Sequence, residues 1–244
     1  MKILGIIPSR YASSRFPGKP LVDIAGKSMI QRVYEQVKCC TNVAEVIVAT
    51  DDERIFNHVH AFGGVAIMTA AYHESGTDRC AEVARLHPEY DVIINIQGDE
   101  PYINPEQINT LVSCFMDADT QIATLIKKIT STEELFNYNS PKVVINKLSE
   151  AIYFSRATLP HIRAQQPDNW LKFHTYFKHI GIYGYRADVL QQITKLPVSD
   201  LEKAESLEQL RWIENGYRIK VAETELETHS VDVPADLEKL SCFK

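Results

Sequence analysis

Short apolar runs alternate with longer helical patterns along most of the chain. The clearest run covers residues 91–96 and reads DVIINI, a nearly continuous apolar stretch that is typical of a strand buried on both faces. Strands are also predicted over residues 2–7 and 45–50, and a helical pattern follows each of them. This alternation indicates βα units, so we predict a three-layer α/β fold built on a mainly parallel sheet.

The chain has 244 residues, of which 45% are hydrophobic, and this is enough to bury one substantial core. No repeat, low-complexity tract or linker is found, so we predict a single domain over residues 1–244. The pattern changes between residues 130 and 185, where strand candidates at 142–145, 151–154 and 179–185 flank polar stretches. We interpret residues 130–185 as a β-rich excursion from the main sheet.

Composition excludes several classes of partner. The formal net charge is -6 and no block of Lys and Arg stands out, which argues against a nucleic-acid partner. No apolar span approaches the roughly 20 residues that a bilayer requires, and the apolar stretch 3–7 is too short for a signal sequence. The 5 cysteines lack C-x-x-C spacing, so we expect a reduced, cytoplasmic setting without membrane attachment.

A basic loop over residues 8–20 follows the first predicted strand. It carries three permanent cations, Arg10, Arg15 and Lys19, among small residues. Arginine forks, a lysine ammonium and accessible backbone N–H groups are suited to binding a polyphosphate. The loop lacks the P-loop pattern, and G-x-G-x-x-G is absent from the chain, which argues against a dinucleotide fold. The alternative interpretation is a solvated surface loop.

The turn QGDEP, at residues 97–101, follows the buried strand and presents Asp99 where ligands collect in open α/β sheets. Mg²⁺ prefers one or two carboxylates together with phosphate oxygens and water, so Asp99 is a candidate ligand. Asp232 is the candidate second ligand. It could equally cap a helix that begins near Pro234, and spacing alone favours neither interpretation.

A third candidate pair lies on a helix predicted over residues 201–215. Glu205 and Gln209 are four positions apart and would share one face of that helix. Two such side chains could bind a polyhydroxylated sugar, although surface pairs of this kind are usually only solvated.

Six segments together resemble the CMP-KDO synthetases, where KDO is 3-deoxy-D-manno-octulosonate. The segments are RYASSRFPGKPL at 10–21, SGTDR at 75–79, QGDEP at 97–101, YFSRA at 153–157, HIGIYGYR at 179–186 and VDVP at 231–234. They occur in the family's order and span essentially the whole chain. Ser14, Phe16, Asp78 and Val233 replace the residues usual in the family, and none of these changes removes a charge or donor that the chemistry needs.

The resemblance implies a nucleotide-diphospho-sugar transferase-like fold and a homodimer built through the β-rich excursion. It also implies the Mg²⁺-dependent reaction of CTP with KDO to give CMP-KDO and pyrophosphate, a step of lipopolysaccharide biosynthesis. The implied site residues fall into four groups. They are Arg10, Arg15 and Lys19 for the triphosphate; Ser75 and Arg79 beside the cytidine; Gln97, Arg156, His179, Tyr185, Glu205 and Gln209 around the sugar; and Asp99 and Asp232 for Mg²⁺. Arg10, Lys19 and Asp99 are the expected catalytic residues.

Two alternatives remain open. The same chemistry could activate another acidic sugar, such as 8-amino-KDO or a nonulosonic acid. A non-catalytic nucleotide-binding relative would keep the fold, although binding alone would not require both Asp99 and Asp232. For the transfer of CMP to the sugar, we expect that alignment of the substrates and neutralisation of charge drive the reaction, without a single obligatory general base.

Overall fold

The computed structural model describes residues 1–12, 16–227 and 229–239. The strands are β1 Ile3–Ser9, β2 Asp23–Ile24, β3 Lys27–Ser28, β4 Glu45–Thr50, β5 Ala66–Met68, β6 Val92–Asn95, β7 Ile122–Lys128, β8 Lys142–Ile145, β9 Ala151–Ser155, β10 Phe177–Arg186 and β11 Ile219–Glu223. The helices are α1 Met29–Lys38, α2 Glu53–Ala61, α3 Gly76–Leu86, α4 Pro105–Ser113, α5 Thr132–Phe136, α6 Trp170–Phe173, α7 Ala187–Ile193, α8 Asp200–Glu205, α9 Gln209–Glu214 and α10 Asp236–Lys239.

A nine-stranded sheet forms the middle layer, and its main path has the order β11-β7-β10-β6-β1-β4-β5. The pairs β1–β4, β1–β6, β4–β5 and β7–β11 are parallel. Strand β10 is antiparallel to both of its neighbours on this path, β6 and β7. The predicted mainly parallel α/β sheet is therefore confirmed, with one reversed strand near its centre.

Helices cover both faces of the sheet because the central strands are apolar on both sides. On β1, Leu4 and Ile6 pack into one core and Ile3 and Ile7 into the other. Helices α3, α7 and α9 close the first core, and helices α1, α2 and α4 close the second. This two-sided burial confirms the predicted three layers.

Residues 130–185 contribute the hairpin β8–β9, which leaves the main path by pairing β8 with the first residues of β10. Within the described part of the chain, β9 pairs as a strand with β8 alone, and its other edge is linked to β11 only just before β9 begins, by the bridge between Glu150 and Lys220 and the bond from the Val221 N–H to the Ser149 carbonyl. The side chains of Leu148 and Ile152 are 66% and 53% exposed on this hairpin. Beyond this link to β11, the β-rich excursion presents a partly apolar edge of β9 that has no strand partner among the described residues.

Close packing in the centre of β10 can be tested at Gly184. A Cβ atom at this position would lie 2.5 Å from the Phe115 ring and 3.1 Å from Ile94. We expect Gly184→Ala to lower the free energy of unfolding by about 1–3 kcal/mol, because overpacking forces neighbouring side chains out of place. Urea denaturation measures the loss. Gly181→Ala in the same strand is the control, since nothing lies within 4 Å of its Cβ position; equal losses would refute the packing argument.

Candidate active site

The loops that follow β1 and β6 lie side by side at the carboxyl end of the sheet. Parallel pairing places Ile6 opposite Asn95, so both strands end at the same edge. A Cβ atom on Gly98 would lie 3.1 Å from the Pro8 carbonyl oxygen, which shows how closely the two loops approach. Glycine at this position lets the backbones meet, and the side chains that follow in each loop are brought together.

Lys19 and Asp99 form an ion pair across these loops. The Lys19 Nζ lies 2.7 Å from the Asp99 Oδ2 and 2.9 Å from the Val231 carbonyl oxygen. Gly18, with a φ of 72°, turns the chain into Lys19, and the Gly18 N–H donates to the Tyr11 carbonyl at 2.9 Å. Two predicted site residues are therefore in direct contact.

Asp232 reaches the same place through the backbone. The N–H of the preceding residue, Val231, donates to the Asp99 carbonyl oxygen at 2.9 Å, and Val231 is fully buried. The Asp236 carboxylate accepts hydrogen bonds from the N–H groups of Asp232 and Val233, at 3.0 and 3.1 Å. Asp99 and Asp232 thus belong to two segments that are bonded backbone to backbone.

These two carboxylates are compatible with a bound Mg²⁺. In the described residues, no cluster of three or more His, Cys, Asp or Glu side chains that could hold a metal is found. Two carboxylates suit Mg²⁺, which completes its shell with phosphate oxygens and water. The Lys19 ammonium already shows that the Asp99 carboxylate and the Val231 carbonyl stabilise a positive charge here. The metal assignment itself stays a prediction.

A cavity of about 530 Å³ opens beside this ion pair, and its lining includes Gln97, Asp99, His179 and Gln209. The Gln97 side chain is oriented by a hydrogen bond from its Nε2 to the Gly181 carbonyl, at 3.0 Å. In the described part of the chain, the buried Gln209 Nε2 has no hydrogen-bond partner. This atom has almost no accessible surface, so the other polar side chains of the lining, Gln97, Asp99 and His179, are what suits the cavity to a ligand rich in oxygen atoms.

Tyr185 does not line this cavity, which corrects the prediction of a sugar contact. Its side chain is fully buried and packs edge-on against Trp212 in the core. Tyr183, two residues earlier in β10, lines the cavity instead. Residues two apart in a strand share a face, so the sequence pattern alone did not separate these two tyrosines.

Glu205 makes contacts that the sequence pattern did not predict, and its role beside a sugar stays a prediction. Its carboxylate accepts hydrogen bonds from the Ser155 Oγ at 2.7 Å and from the Arg156 N–H at 2.9 Å, and it therefore secures the end of β9. The predicted helix over 201–215 is broken at Ser206, which has a φ of 51°. Because α8 and α9 are separate helices, Glu205 and Gln209 do not share a face.

Glu208 is the carboxylate that the sequence pattern missed. It lines the cavity next to Gln209, and its Oε2 accepts a hydrogen bond from the Thr77 Oγ1 at 2.7 Å. Burial raises the pKa of the Glu208 carboxyl. Glu208 also lines a neighbouring cavity of about 700 Å³ that includes Ser75, so it lies between the predicted sugar and nucleotide sides. No sequence rule marks the break at Ser206 that brings Glu208 to the cavity, so the sequence carried no signal for Glu208.

Arg156 holds the turn between α8 and α9 by hydrogen bonds to backbone carbonyl oxygens. Its guanidinium donates to the carbonyl oxygens of Glu205 at 2.7 Å, Tyr138 at 3.2 Å and Ser206 at 3.3 Å. These bonds hold the turn that carries Glu208 into the cavity. The predicted contact between Arg156 and a sugar stays a prediction.

The predicted nucleotide residues lie around the start of α3. The Arg10 guanidinium donates to the His73 carbonyl, and Ser75 caps α3 by accepting from the Asp78 N–H at 3.0 Å. Arg79 has no exposed surface, and its guanidinium bonds Thr69 and, at 3.0 Å, Asp51. Arg79 thus joins α3 to the ends of β4 and β5, and its predicted position beside the cytidine, with the neighbouring backbone, stays a prediction. Arg15 lies outside the described residues.

His179 contributes a neutral ring to the cavity. Burial lowers its pKa to about 4. Its Nε2 lies 3.0 Å from the Thr124 Oγ1, which also lies within hydrogen-bond distance of the Ile180 and Ile182 carbonyl oxygens, at 3.2 and 2.7 Å. A hydroxyl has one hydrogen, so its donation to either carbonyl favours the tautomer in which Nε2 donates to Thr124 and Nδ1 is an acceptor.

The low pKa of His179 can be measured directly. A folded pKa of about 4, below the ordinary value of 6.5, means that the ring stays neutral from pH 8 down to about pH 5. We expect the ring ¹⁵N shifts, assigned by comparison with His179→Asn, to stay constant over this range, with free imidazole in the tube as the pH reference. The unfolded chain takes up the proton first, so this residue lowers stability as pH falls from about 6.5 towards 4. A midpoint above pH 6 would contradict the burial argument.

Comparison with known proteins places this geometry in a family. The profile of the family described as Cytidylyltransferase matches residues 4–220. The 3-deoxy-manno-octulosonate cytidylyltransferases of Parabacteroides distasonis and Bacteroides thetaiotaomicron are 60% and 56% identical, and each match covers 100% of this chain and 98% of the relative.

Comparison with solved structures also finds cytidylyltransferases. A structure of CMP:2-keto-3-deoxy-manno-octonic acid synthetase complexed with CTP is 48% identical, with a TM-score of 0.92 over 100% of this chain and 98% of its own. The 4-diphosphocytidyl-2C-methyl-D-erythritol synthase of Anaerococcus prevotii shares the fold alone, at 10% identity, with a TM-score of 0.63 over 99% of this chain and 98% of its own. This chain belongs to the cytidylyltransferase family.

Proposed function

We propose that the protein transfers CMP from CTP to KDO and releases pyrophosphate. The observation that carries this proposal is the junction of Lys19, Asp99 and the 231–232 segment beside a polar cavity. Relatives that match over their full length are named for this reaction, and the CTP complex concerns a protein 48% identical to this chain.

The triphosphate is assigned to the loop after β1. Arg10 and Lys19 supply permanent positive charge there, and a guanidinium and an ammonium both bind phosphate oxygens well. The capped start of α3 adds backbone N–H groups from residues that follow Ser75. These groups orient the α-phosphorus and neutralise the charge that grows as pyrophosphate leaves.

The sugar is assigned to the cavity lined by Gln97, His179, Tyr183, Glu208 and Gln209. Its polar atoms include both donors and acceptors, as a polyhydroxylated acid requires. The neutral His179 is a poor proton acceptor near pH 7, because its pKa is about 4. This supports our expectation that the reaction needs no single obligatory general base.

Mg²⁺ is the proposed cofactor, with Asp99 and Asp232 as its protein ligands. When bound, the ion would lower the pKa of the attacking sugar hydroxyl and compensate charge on the phosphate. Asp99 lines the cavity and bonds Lys19 of the phosphate loop, and the backbone bond from Val231 to Asp99 brings the segment of Asp232 to the same place, so both substrates could be positioned from there.

We also propose a cytoplasmic homodimer that serves lipopolysaccharide biosynthesis. Among the described residues, none of the helices combines the length and apolarity needed to cross a bilayer. The open edge of β9, with exposed Ile152 and Leu148, is the proposed dimer surface. Pairing with a second copy would cover both the unpaired backbone and the apolar side chains.

The reaction is tested by pyrophosphate release from CTP and Mg²⁺, with KDO, 8-amino-KDO and N-acetylneuraminate offered separately. We expect release with KDO, and we expect Asp99→Asn to lower kcat about 10²-fold or more while CTP still binds. The control is Asp200→Asn, which removes a carboxylate that is 98% exposed. Release with another sugar alone would overturn the substrate, and no release with any sugar would favour a non-catalytic relative.

The dimer is tested by sedimentation of Ile152→Glu. A buried charge at the centre of the proposed interface would separate the copies, so we expect the variant to sediment as a monomer at a concentration where the unchanged protein is a dimer. Leu86→Glu, at the end of α3, is the control, because Leu86 is 57% exposed on another element. A dimer that survives Ile152→Glu would place the interface elsewhere.

A further inference from the structure

The Lys19 ammonium is bonded to the Oδ2 of Asp99, the carboxylate that we assign to a divalent cation. We propose that Lys19 masks this cation site in the nucleotide-free protein, and that a triphosphate unmasks the site by drawing Lys19 onto its own oxygens. The inference rests on the proposed function, since it assigns Asp99 to the metal and Lys19 to the phosphates. It adds an order of binding, in which the nucleotide makes the metal site available.

The contacts of Lys19 carry this inference. Its Nζ bonds the Asp99 carboxylate at 2.7 Å and the Val231 carbonyl at 2.9 Å, and thereby spans the two segments that hold the proposed metal ligands. The side chains of Lys19 and Asp99 are only 16% and 25% exposed. Solvent therefore screens this pair less than a surface pair, and a free cation must compete with an ammonium that is already in place.

The backbone around Lys19 is secured independently of this ion pair. The Gly18 N–H is bonded to the Tyr11 carbonyl at 2.9 Å, and the Arg54 guanidinium lies 3.3 Å above the centre of the Tyr11 ring. The four-carbon stem of lysine is flexible, so the ammonium can leave Asp99 while the loop keeps its shape. Unmasking is thus a movement of one side chain.

A triphosphate is the ligand class suited to this exchange. It offers several anionic oxygens to an ammonium that otherwise has one carboxylate oxygen and one neutral carbonyl. Once Lys19 moves, Asp99 loses its positive partner, while the bond from the Val231 N–H to the Asp99 carbonyl still holds the two segments together. The Asp99 carboxylate can then bind a divalent cation that the phosphates also bind.

The experiment measures Mn²⁺ binding to nucleotide-free protein by electron paramagnetic resonance of the free ion. We expect Lys19→Met to bind Mn²⁺ at least about tenfold more tightly than the unchanged protein, because the variant keeps the stem and removes the competing charge. Adding Asp99→Asn to Lys19→Met should abolish the gain. Equal affinities for the unchanged protein and Lys19→Met would overturn the proposal, as would a gain that survives Asp99→Asn.

Arg10→Met is the matched control for charge alone. Arg10 is a cation of the same loop as Lys19, but its guanidinium bonds the His73 carbonyl and not Asp99. We expect Mn²⁺ affinity to change less than about twofold in this variant. A gain as large as that of Lys19→Met would show a general charge effect and would overturn the masking.

A second measurement uses the unchanged protein, so it does not depend on how the variants fold. Calorimetry with CTP in the presence of EDTA should show binding, whereas nucleotide-free protein should bind Mn²⁺ weakly. Stoichiometric Mn²⁺ binding without nucleotide, together with no CTP binding without metal, would reverse the order and overturn the proposal. Neither measurement includes KDO or turnover, so failure of the proposed reaction remains distinguishable.

Discussion

Parallel pairing of β1 with β6 is the constraint on which the active site depends. It brings two loops to one edge of the sheet, and Gly98 lets them approach until a Cβ atom would lie 3.1 Å from the Pro8 carbonyl. Lys19 and Asp99 meet for this reason, although 80 positions separate them. The backbone bond from Val231 to Asp99 adds a third segment, so a main-chain contact and the ion pair between Lys19 and Asp99 together assemble the site.

The left-handed turn at Ser206 has a comparable effect on the cavity. It separates α8 from α9, and the bonds of Arg156 and Glu205 hold it against the end of β9. Glu208 consequently enters the cavity and bonds Thr77 of α3. The β-rich excursion, the predicted sugar side and the predicted nucleotide side are therefore joined through a few hydrogen bonds, which gives the excursion a role in shaping the pocket.

The parts of the site that follow a strand directly were predictable. Hydrophobic runs predicted β1 and β6. Ligands of parallel sheets bind outside the carboxyl ends of the strands, so Lys19 and Asp99, which follow these two strands, were expected at one edge of the sheet. The contacts of Tyr185 in the core, of Glu205 at the end of β9 and of Arg79 between α3 and β4 were not predictable, for a shared reason. Each is a polar side chain near the site. Its orientation depends on how deeply the residue is buried in the core or on a break in a helix, and the spacing of residue types in a sequence shows neither.

The sequence by itself determined the layered α/β fold, the basic loop and the acidic turn, because periodicity and charge are local properties of the chain. Only the tertiary structure decided which tyrosine and which glutamate face the cavity, and that the Lys19 ammonium rests on Asp99. Those outcomes depend on how segments far apart in the chain pack and on which polar groups become buried. Packing and desolvation are set by the whole fold, so the local sequence does not contain them.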